Sequence, residues 1–591
     1  MKSIDRPSTP VNTPPLAWKS DIVARLLRES GIPYITLNPG ASYRGLHDSL
    51  VNYLGNQDPQ MLLCLHEDHV VAIAHGYAKA TDRPLACVLH SNVGLMHGLM
   101  GIFNAWADRV PMLILGATGP VQPEKRRPWI DWIHTAKDQG ALLRNYVKWD
   151  DEPRSMHGLI EGVIRGLQIT TTAPRAPVYI CLDAGLQEEP IEGELTLPDL
   201  ARFAAPAPPS GSPEEIEQVA TMIGAAQRPL FLFGRGSRLQ EDWDRRVALA
   251  ERTGAAVLTS LRERAVFPTE HPQHIGPPSG WMSAGAKAAL QDADLVVSFD
   301  WIDLNGYLQQ FDRQTSRIGA KIVHVSLDSL LHNGWSMDHF GLPPADTLVM
   351  ADPDRFLKQL LTAVEAGAAK GKTPWRAPAP VAPRGYGANA STELVPHDIE
   401  AALAEVRGDR DFTIAHTTIG WAATDYAFRG PLDYLGHDGG GGLAAGPGLT
   451  IGAALALKDS GRTVIGILGD GDFMQGATAL WSAAHYQLPA LFIISNNRSN
   501  FNDEIHQEAV AKVRERPVDN RWIGQRIDEP AIDLAGLARA QGIESVGPIG
   551  NVADLLAAIR QGLEVVASGK PFFIDARVKP GYANIIVSRH S

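Results

Sequence analysis

Cysteine is scarce in this chain: 591 residues carry three, Cys64, Cys87 and Cys181. All three lie in apolar stretches without metal-ligand spacing, which speaks against a disulfide framework or a cysteine-held zinc site. No run of about 18 apolar residues occurs, so no membrane span is expected. Long runs of one charge sign are also missing. The formal charge of −12 is spread along the chain, and no basic stripe interrupts it, so no nucleic-acid surface is expected. The opening MKSIDRPSTPVNTPPLAWKS lacks the apolar core of a signal peptide. It reads as a flexible arm, residues 1–17, on a cytoplasmic protein. What is present is ordinary for a globular enzyme, 44% apolar and 20% charged. The length allows roughly three to four domains.

Regularity begins near Ser20. A helix is predicted over 21–30, then strands over 34–37, 60–65, 85–89 and 112–115, with helical patterns between them. A strand over 178–182 closes this first unit, 18–191. The tract 192–213 contains Ala-Pro-Ala-Pro-Pro-Ser-Gly-Ser, a linker by composition. A second unit, 214–370, has strands predicted over 229–233 and 295–299. Its Gly234-Arg235-Gly236 turn lacks the third glycine of a dinucleotide fingerprint, so that signal is weak. A second linker, 371–392, carries Pro374, Pro378, Pro380 and Pro383. The last unit, 393–591, has strands predicted over 412–415, 464–468 and 490–494. Strands alternating with helices indicate an α/β class with parallel sheets.

The densest chemistry lies in GDGDFMQGATALWSAAHYQLPALFIISNNRSN, Gly469 to Asn500. A strand without polar side chains, Val464-Ile465-Gly466-Ile467-Leu468, fits one buried on both faces of a parallel sheet. It runs into Gly469-Asp470-Gly471-Asp472, where two glycines suit a tight turn beside a ligand. A helical pattern follows, and a second apolar strand ends at Asn496-Asn497. An acid at the carboxyl end of one parallel strand and an amide at the end of the next meet in the crevice where open α/β sheets bind ligands. Asp470 and Asn497 are hard oxygen ligands suited to Mg²⁺.

This stretch resembles the signature of thiamine-diphosphate (ThDP) enzymes, GDG followed by NN. Asp470 and Asn497 stand 497 − 470 = 27 residues apart, as the corresponding residues do in that family. A second resemblance lies in LHEDHVVAIAHGYAKATDRPLACVLHSNVG, similar to the family's pyrimidine-binding domain, where a glutamate precedes an AxGYA helix. The chain is therefore identified as a member of the ThDP-dependent 2-oxo acid decarboxylase/acetolactate synthase family, closest in pattern to the benzoylformate decarboxylase group. The resemblance implies three doubly wound parallel-sheet domains, pyrimidine-binding, central and diphosphate-binding, covering nearly the whole chain from about residue 18.

It also implies roles. Asp470, Asn497 and the Ser499 carbonyl would bind Mg²⁺. Gly469, Gly471, Asp472, His416, Thr417 and Thr418 would face the diphosphate. Within His437-Asp438-Gly439-Gly440-Gly441-Gly442-Leu443, the Gly441 carbonyl would accept from the 4′-amino group. Leu443 would wedge between the cofactor rings. Glu67 would share a proton with the aminopyrimidine, a role that suits a carboxylate in an apolar cleft. His90, 90 − 67 = 23 residues further on within Leu89-His90-Ser91, would move a proton at the substrate oxygen. Asp503 stands where pyruvate decarboxylase carries an acid and would be a second acid/base.

The resemblance implies a small 2-oxo acid or 2-hydroxy ketone substrate. It also implies a homodimer or homotetramer with each cofactor between two subunits. FAD is not expected. Three departures separate the chain from the benzoylformate type. FDWIDLNGYLQQ lacks the group's second histidine, Ala41 replaces a serine, and Asn502-Asp503 are polar. The loop with Trp129, Asp131, Trp132 and His134 suits either a substrate channel or a contact between subunits.

Overall fold

The computed structural model of the chain describes residues 5–7, 14–312, 318–328, 341–367, 371–376 and 384–581. Most of the arm expected at 1–17, and Pro378, Pro380 and Pro383 of the second linker, lie outside the described residues.

Three parallel sheets follow one another along the chain. The first holds β1 (Tyr34–Leu37), β2 (Gln60–Leu63), β3 (Leu85–Val88), β4 (Met112–Thr118), β5 (Trp149–Asp151) and β6 (Pro177–Asp183), in the order β2-β1-β3-β4-β6-β5. The second holds β7 (Pro229–Phe233), β8 (Ala256–Thr259), β9 (Leu295–Phe299), β10 (Lys321–Val325) and β11 (Thr347–Val349), in the order β11-β10-β9-β7-β8. The third holds β12 (Phe412–His416), β13 (Thr463–Gly469), β14 (Ala490–Asn496), β15 (Glu544–Ile549) and β16 (Phe572–Arg577), in the order β12-β13-β14-β16-β15. The α/β class and the three-sheet plan expected from the alternating pattern are what the chain forms.

The strands are Val-, Ile- and Leu-rich because helices cover both sheet faces. β14 is buried at every position, and β13 at all but its two ends. In the first sheet the chain steps from β1 outward to β2, then back across to β3. The carboxyl ends of β1 and β3 therefore flank a topological switch point, where a crevice opens. In the third sheet, β13 and β14 are neighbours in register from Val464↔Ala490 to Gly469↔Ser495. Their adjacency brings the GDG and NN ends together.

The first and third domains are locked by two helices, Glu67–Thr81 and Ala445–Leu457. A Cβ on Gly76 would lie 2.1 Å from the Leu449 carbonyl oxygen, and one on Gly452 would lie 2.0 Å from the Ile73 carbonyl oxygen. Each glycine admits the other helix's backbone, and the crossing excludes any side chain at either position. Gly452→Val is therefore expected to destabilise the fold by roughly 3 kcal/mol or more through overpacking. Urea denaturation of the variant beside the wild type measures this.

The Gly469-Asp470-Gly471-Asp472 segment differs from the expected tight turn. Gly469 has φ −74°, and Asp470 opens a helix, Asp470–Gly476, directly at the end of the strand. The helical pattern beyond it is split, resuming at Ala479–His485. At the split, a Cβ on Gly476 would sit 2.4 Å from the Ala444 carbonyl oxygen. The close approach of the glycine-rich loop thus fixes a small residue there.

Candidate functional site

The first half of the site is built at the β1/β3 crevice. After β2, His66 turns the chain and its Nδ1 accepts from the Asp68 N–H at 3.1 Å, capping the Glu67–Thr81 helix. Glu67 is the first helical residue, where the helix dipole favours a carboxylate. It is 6% exposed, and its Oε2 lies 3.1 Å from His97 Nδ1 on the Ser91–Ala107 helix. The wall beneath the carboxylate is Gly94. A Cβ there would stand 3.0 Å from Glu67 Oε1 and 3.1 Å from His90 Cβ. The structure therefore brings Glu67 and His90 together across one glycine.

His90 follows β3, and its ring is fixed from β1. Its Nδ1 lies 2.8 Å from Ser42 Oγ, which also accepts from the Ser91 N–H at 3.2 Å. Partial burial lowers the His90 pKa, and the neighbouring His134 ring adds to this. The imidazole is thereby neutral near pH 7 and able to accept a proton. His97 was not singled out from sequence, because a histidine on an apolar helix carries no signal until Glu67 is seen beside it.

The second half lies at the carboxyl ends of β12, β13 and β14. Asp470 is buried, and its Oδ2 has no hydrogen-bond partner. Burial pushes its pKa up to about 6, against backbone hydrogen bonds that lower it. Asn497 Oδ1 accepts from the Ser499 N–H at 2.9 Å. The Ser499 hydroxyl donates to buried Glu504 at 2.6 Å. A partnerless buried carboxylate oxygen beside an amide oxygen is a donor set for a hard cation. A Cβ built on Gly469 would meet nothing within 4 Å, so open space adjoins it. Gly471, by contrast, is crowded by Asn500 Oδ1 at 2.8 Å.

His416, at the end of β12, sits between two acids. Its Nε2 is 3.7 Å from Asp438 and 3.9 Å from Asp472. Burial opposes its charge, but the two carboxylates prevail and raise its pKa. Asp472 Oδ1 accepts from the Ala444 N–H at 2.8 Å, while its Oδ2 has no partner. Asp438 was not among the expected site residues, since it reads as a loop acid until the fold brings it to His416. Thr417 is buried and Thr418 partly so.

The glycine run earns its composition. Gly439 and Gly441 have φ +74° and +70°, which only glycine adopts freely. Gly440 and Gly442 approach the Ser91–Ala107 helix so closely that a Cβ would meet Phe103 at 2.5 Å and Met100 at 2.3 Å. The Asn104 side chain clamps Gly442, donating to its carbonyl at 3.3 Å and accepting from its N–H at 3.2 Å. Leu443 is then presented to solvent, 43% exposed, beside open space at Gly441.

Among the described residues, no side-chain hydrogen bond links Glu67 or His90 to Asp470, Asp472 or Asn497. The hydrogen-bond partner of the Glu67 carboxylate among the described residues is His97, in the same domain. Asp503 stands exposed on the Phe501–Val513 helix, while its neighbour Glu504 is buried. Central-domain Asp300 is taken up by Ser326 at 2.6 Å and Arg235 at 3.5 Å. A cavity of about 850 Å³, lined by Arg235, Arg238 and Asp300, holds none of the residues named above as site candidates. No helix among the described residues is long and apolar enough to cross a membrane.

Three family models match the chain in order. They are the thiamine pyrophosphate enzyme N-terminal TPP binding domain at 18–142, its central domain at 216–360 and its C-terminal TPP binding domain at 415–576. Benzoylformate decarboxylase of Pseudomonas aeruginosa is 28% identical, over 93% of this chain and 97% of that protein. Acetolactate synthase isozyme 1 large subunit of Escherichia coli is 26% identical, over 95% and 93%. Among solved structures, benzoylformate decarboxylase from Polynucleobacter necessarius superposes with a TM-score of 0.78 at 20% identity, covering 96% of this chain and 100% of that one.

Proposed function

Because this chain belongs to the thiamine pyrophosphate enzymes, in the decarboxylase/acetolactate synthase family, we propose that it uses ThDP with Mg²⁺ to remove CO₂ from a 2-oxo acid without oxidation. The observation that carries this reading is the convergence of Glu67 and His90 on Gly94. It offers a carboxylate for the cofactor and a neutral imidazole for the substrate at one crevice. When bound, the cofactor supplies an electron sink beside the substrate carbonyl. The chain's own groups do the rest.

Asp470, Asn497 and the Ser499 carbonyl would hold the metal. Gly469, Gly471, Asp472 and His416–Thr418 would hold the diphosphate. Gly441 and Leu443 would contact the cofactor's rings. Glu67 would hold a proton for exchange with the cofactor, and His90 would give and recover the proton on the substrate oxygen. Asp503, the expected second acid, is exposed on its helix, close in the chain to Ser499. The two halves meet when two copies associate, the first-domain half of one facing the third-domain half of the other. Exposed Val93, Met96, Met100 and Leu443 are the apolar surface such a homodimer or homotetramer would cover. A cytoplasmic location accords with this chemistry.

Carboligation is the second reading. It is favoured by the near-equal, end-to-end match to an acetolactate synthase. Product analysis separates the two. A decarboxylase releases CO₂ and aldehyde from one 2-oxo acid, whereas a ligase requires an acceptor and yields a hydroxy ketone. We expect aldehyde from at least one member of a panel of benzoylformate, pyruvate and longer 2-oxo acids. Hydroxy ketone as the sole product, formed only with an acceptor, would sink the decarboxylase assignment.

A further inference from the structure

Replacing a carboxylate by hydrogen demands protons at two different atoms. The carbonyl oxygen takes one and later returns it. The carbon that loses CO₂ must gain another and keep it. His90 is placed for one of these tasks and cannot hold both protons at once. Asp503 belongs to the third-domain half, Asp300 is occupied by Ser326 and Arg235, and the stretch 299–310 has no histidine.

The unassigned loop at 126–134 supplies a candidate. His134 lies edge-on to His90, ring centroids 4.6 Å apart and planes at 77°. Its Nδ1 is buried and has no hydrogen-bond partner, while the residue as a whole is partly exposed. The loop is built to hold that ring still. His134 N–H donates to the Ile130 carbonyl at 3.1 Å, and its own carbonyl accepts from Gly119 at 3.3 Å. Buried Asp131 pins the preceding turn, accepting from the Arg127 N–H at 2.7 Å and its guanidinium at 2.8 Å. Asn92, on the helix that carries His97, donates to the Ile133 carbonyl at 3.2 Å. Trp129 and Trp132 stand 71% and 81% exposed beside it, apolar area that a substrate side chain can cover. Two imidazoles at nearly right angles aim their nitrogens at different points, as two protonation sites on one substrate require.

We propose that His134 is the second acid of the site, delivering the proton to the substrate carbon that has lost CO₂. This rests on the decarboxylase reading above. In the step, the carbon–carboxylate bond breaks and its electron pair is left with the substrate carbon. The His134 N–H bond breaks, that pair takes the proton to form C–H, and the imidazole is reprotonated from water. The charged and titratable groups facing the histidine pair are Glu67 from the helix after β2 and Arg127 from the loop itself.

The test separates proton delivery from CO₂ loss. Holoenzyme and its His134→Gln and His134→Asn variants are given a 2-oxo acid, with and without ferricyanide. Two equivalents of ferricyanide together withdraw two electrons at the same carbon and water supplies the added oxygen, so that carboxylic acid forms and no C–H bond is needed. Aldehyde formation should fall about 100-fold, with ferricyanide-coupled CO₂ release kept within roughly threefold. Unchanged aldehyde formation, or an equal fall in both reactions, overturns the proposal. A second measurement needs no turnover. In ¹⁵N-histidine NMR, the His90 titration should move to higher pH in His134→Gln, because a neighbouring like charge is removed. An unmoved titration overturns it too. A wild type that releases no CO₂ from any 2-oxo acid fails the decarboxylase reading instead, with the NMR result still deciding whether the two rings act as a pair.

Discussion

Glu67→Gln is expected to cut turnover by about two to four orders of magnitude while leaving cofactor affinity nearly unchanged. The amide has the carboxylate's shape, so packing against Gly94, where a Cβ would be 3.0 Å from Oε1, is preserved. What is lost is the ability to exchange a proton. The His97 contact at 3.1 Å survives, since an amide can still donate or accept there. A structural role for Glu67 would instead lower stability and affinity together. Steady-state CO₂ release and ThDP titration by fluorescence, run on one preparation, distinguish these. Full turnover in the variant would remove Glu67 from the chemistry and with it the carrying observation for the function.

Where sequence reasoning succeeded and where it stopped have physical causes. Apolar runs such as β13 and β14 declare themselves because a strand buried on both faces must be apolar throughout. The four glycines were legible because two adopt positive φ and two meet another helix's side chains. Asp470 was placed at a strand end, but the geometry there was misjudged. The peptide passes straight from strand to helix, and neither flanking glycine takes positive φ. Asp438 and His97 were invisible because their significance lies in a partner distant along the chain, His416 and Glu67. The pair Asp503 and Glu504 shows a finer limit. Successive helical residues point about 100° apart, so on the Phe501–Val513 helix Asp503 is exposed and Glu504 buried against Ser499. No pattern in the short run of polar residues there separates those two faces.

Asp470→Asn should part function from stability in opposite directions. Asp470 Oδ2 is buried without a partner, and burial raises its pKa from 3.8 to about 6. A carboxyl whose folded-state pKa lies above its unfolded value stabilises the fold fully below the unfolded value, and that stability is lost as pH rises through the folded one. With chelator present, the wild type should therefore be less stable at pH 8 than at pH 5 through this group, by about 1 kcal/mol. The amide carries no charge, so the variant should lose that slope and melt at or above the wild-type temperature at pH 8. Adding Mg²⁺ and ThDP should reverse the ranking. The wild type should gain the ligand's binding energy, whereas the variant lacks the carboxylate proposed to hold the metal and should bind ThDP on the order of 100-fold more weakly. Melting curves with chelator and with Mg²⁺–ThDP, at both pH values, measure all four quantities. Equal stabilisation of both proteins by Mg²⁺–ThDP would show that the metal is held elsewhere. A variant destabilised even in chelator would show that the carboxylate is a structural acceptor whose partner is protein.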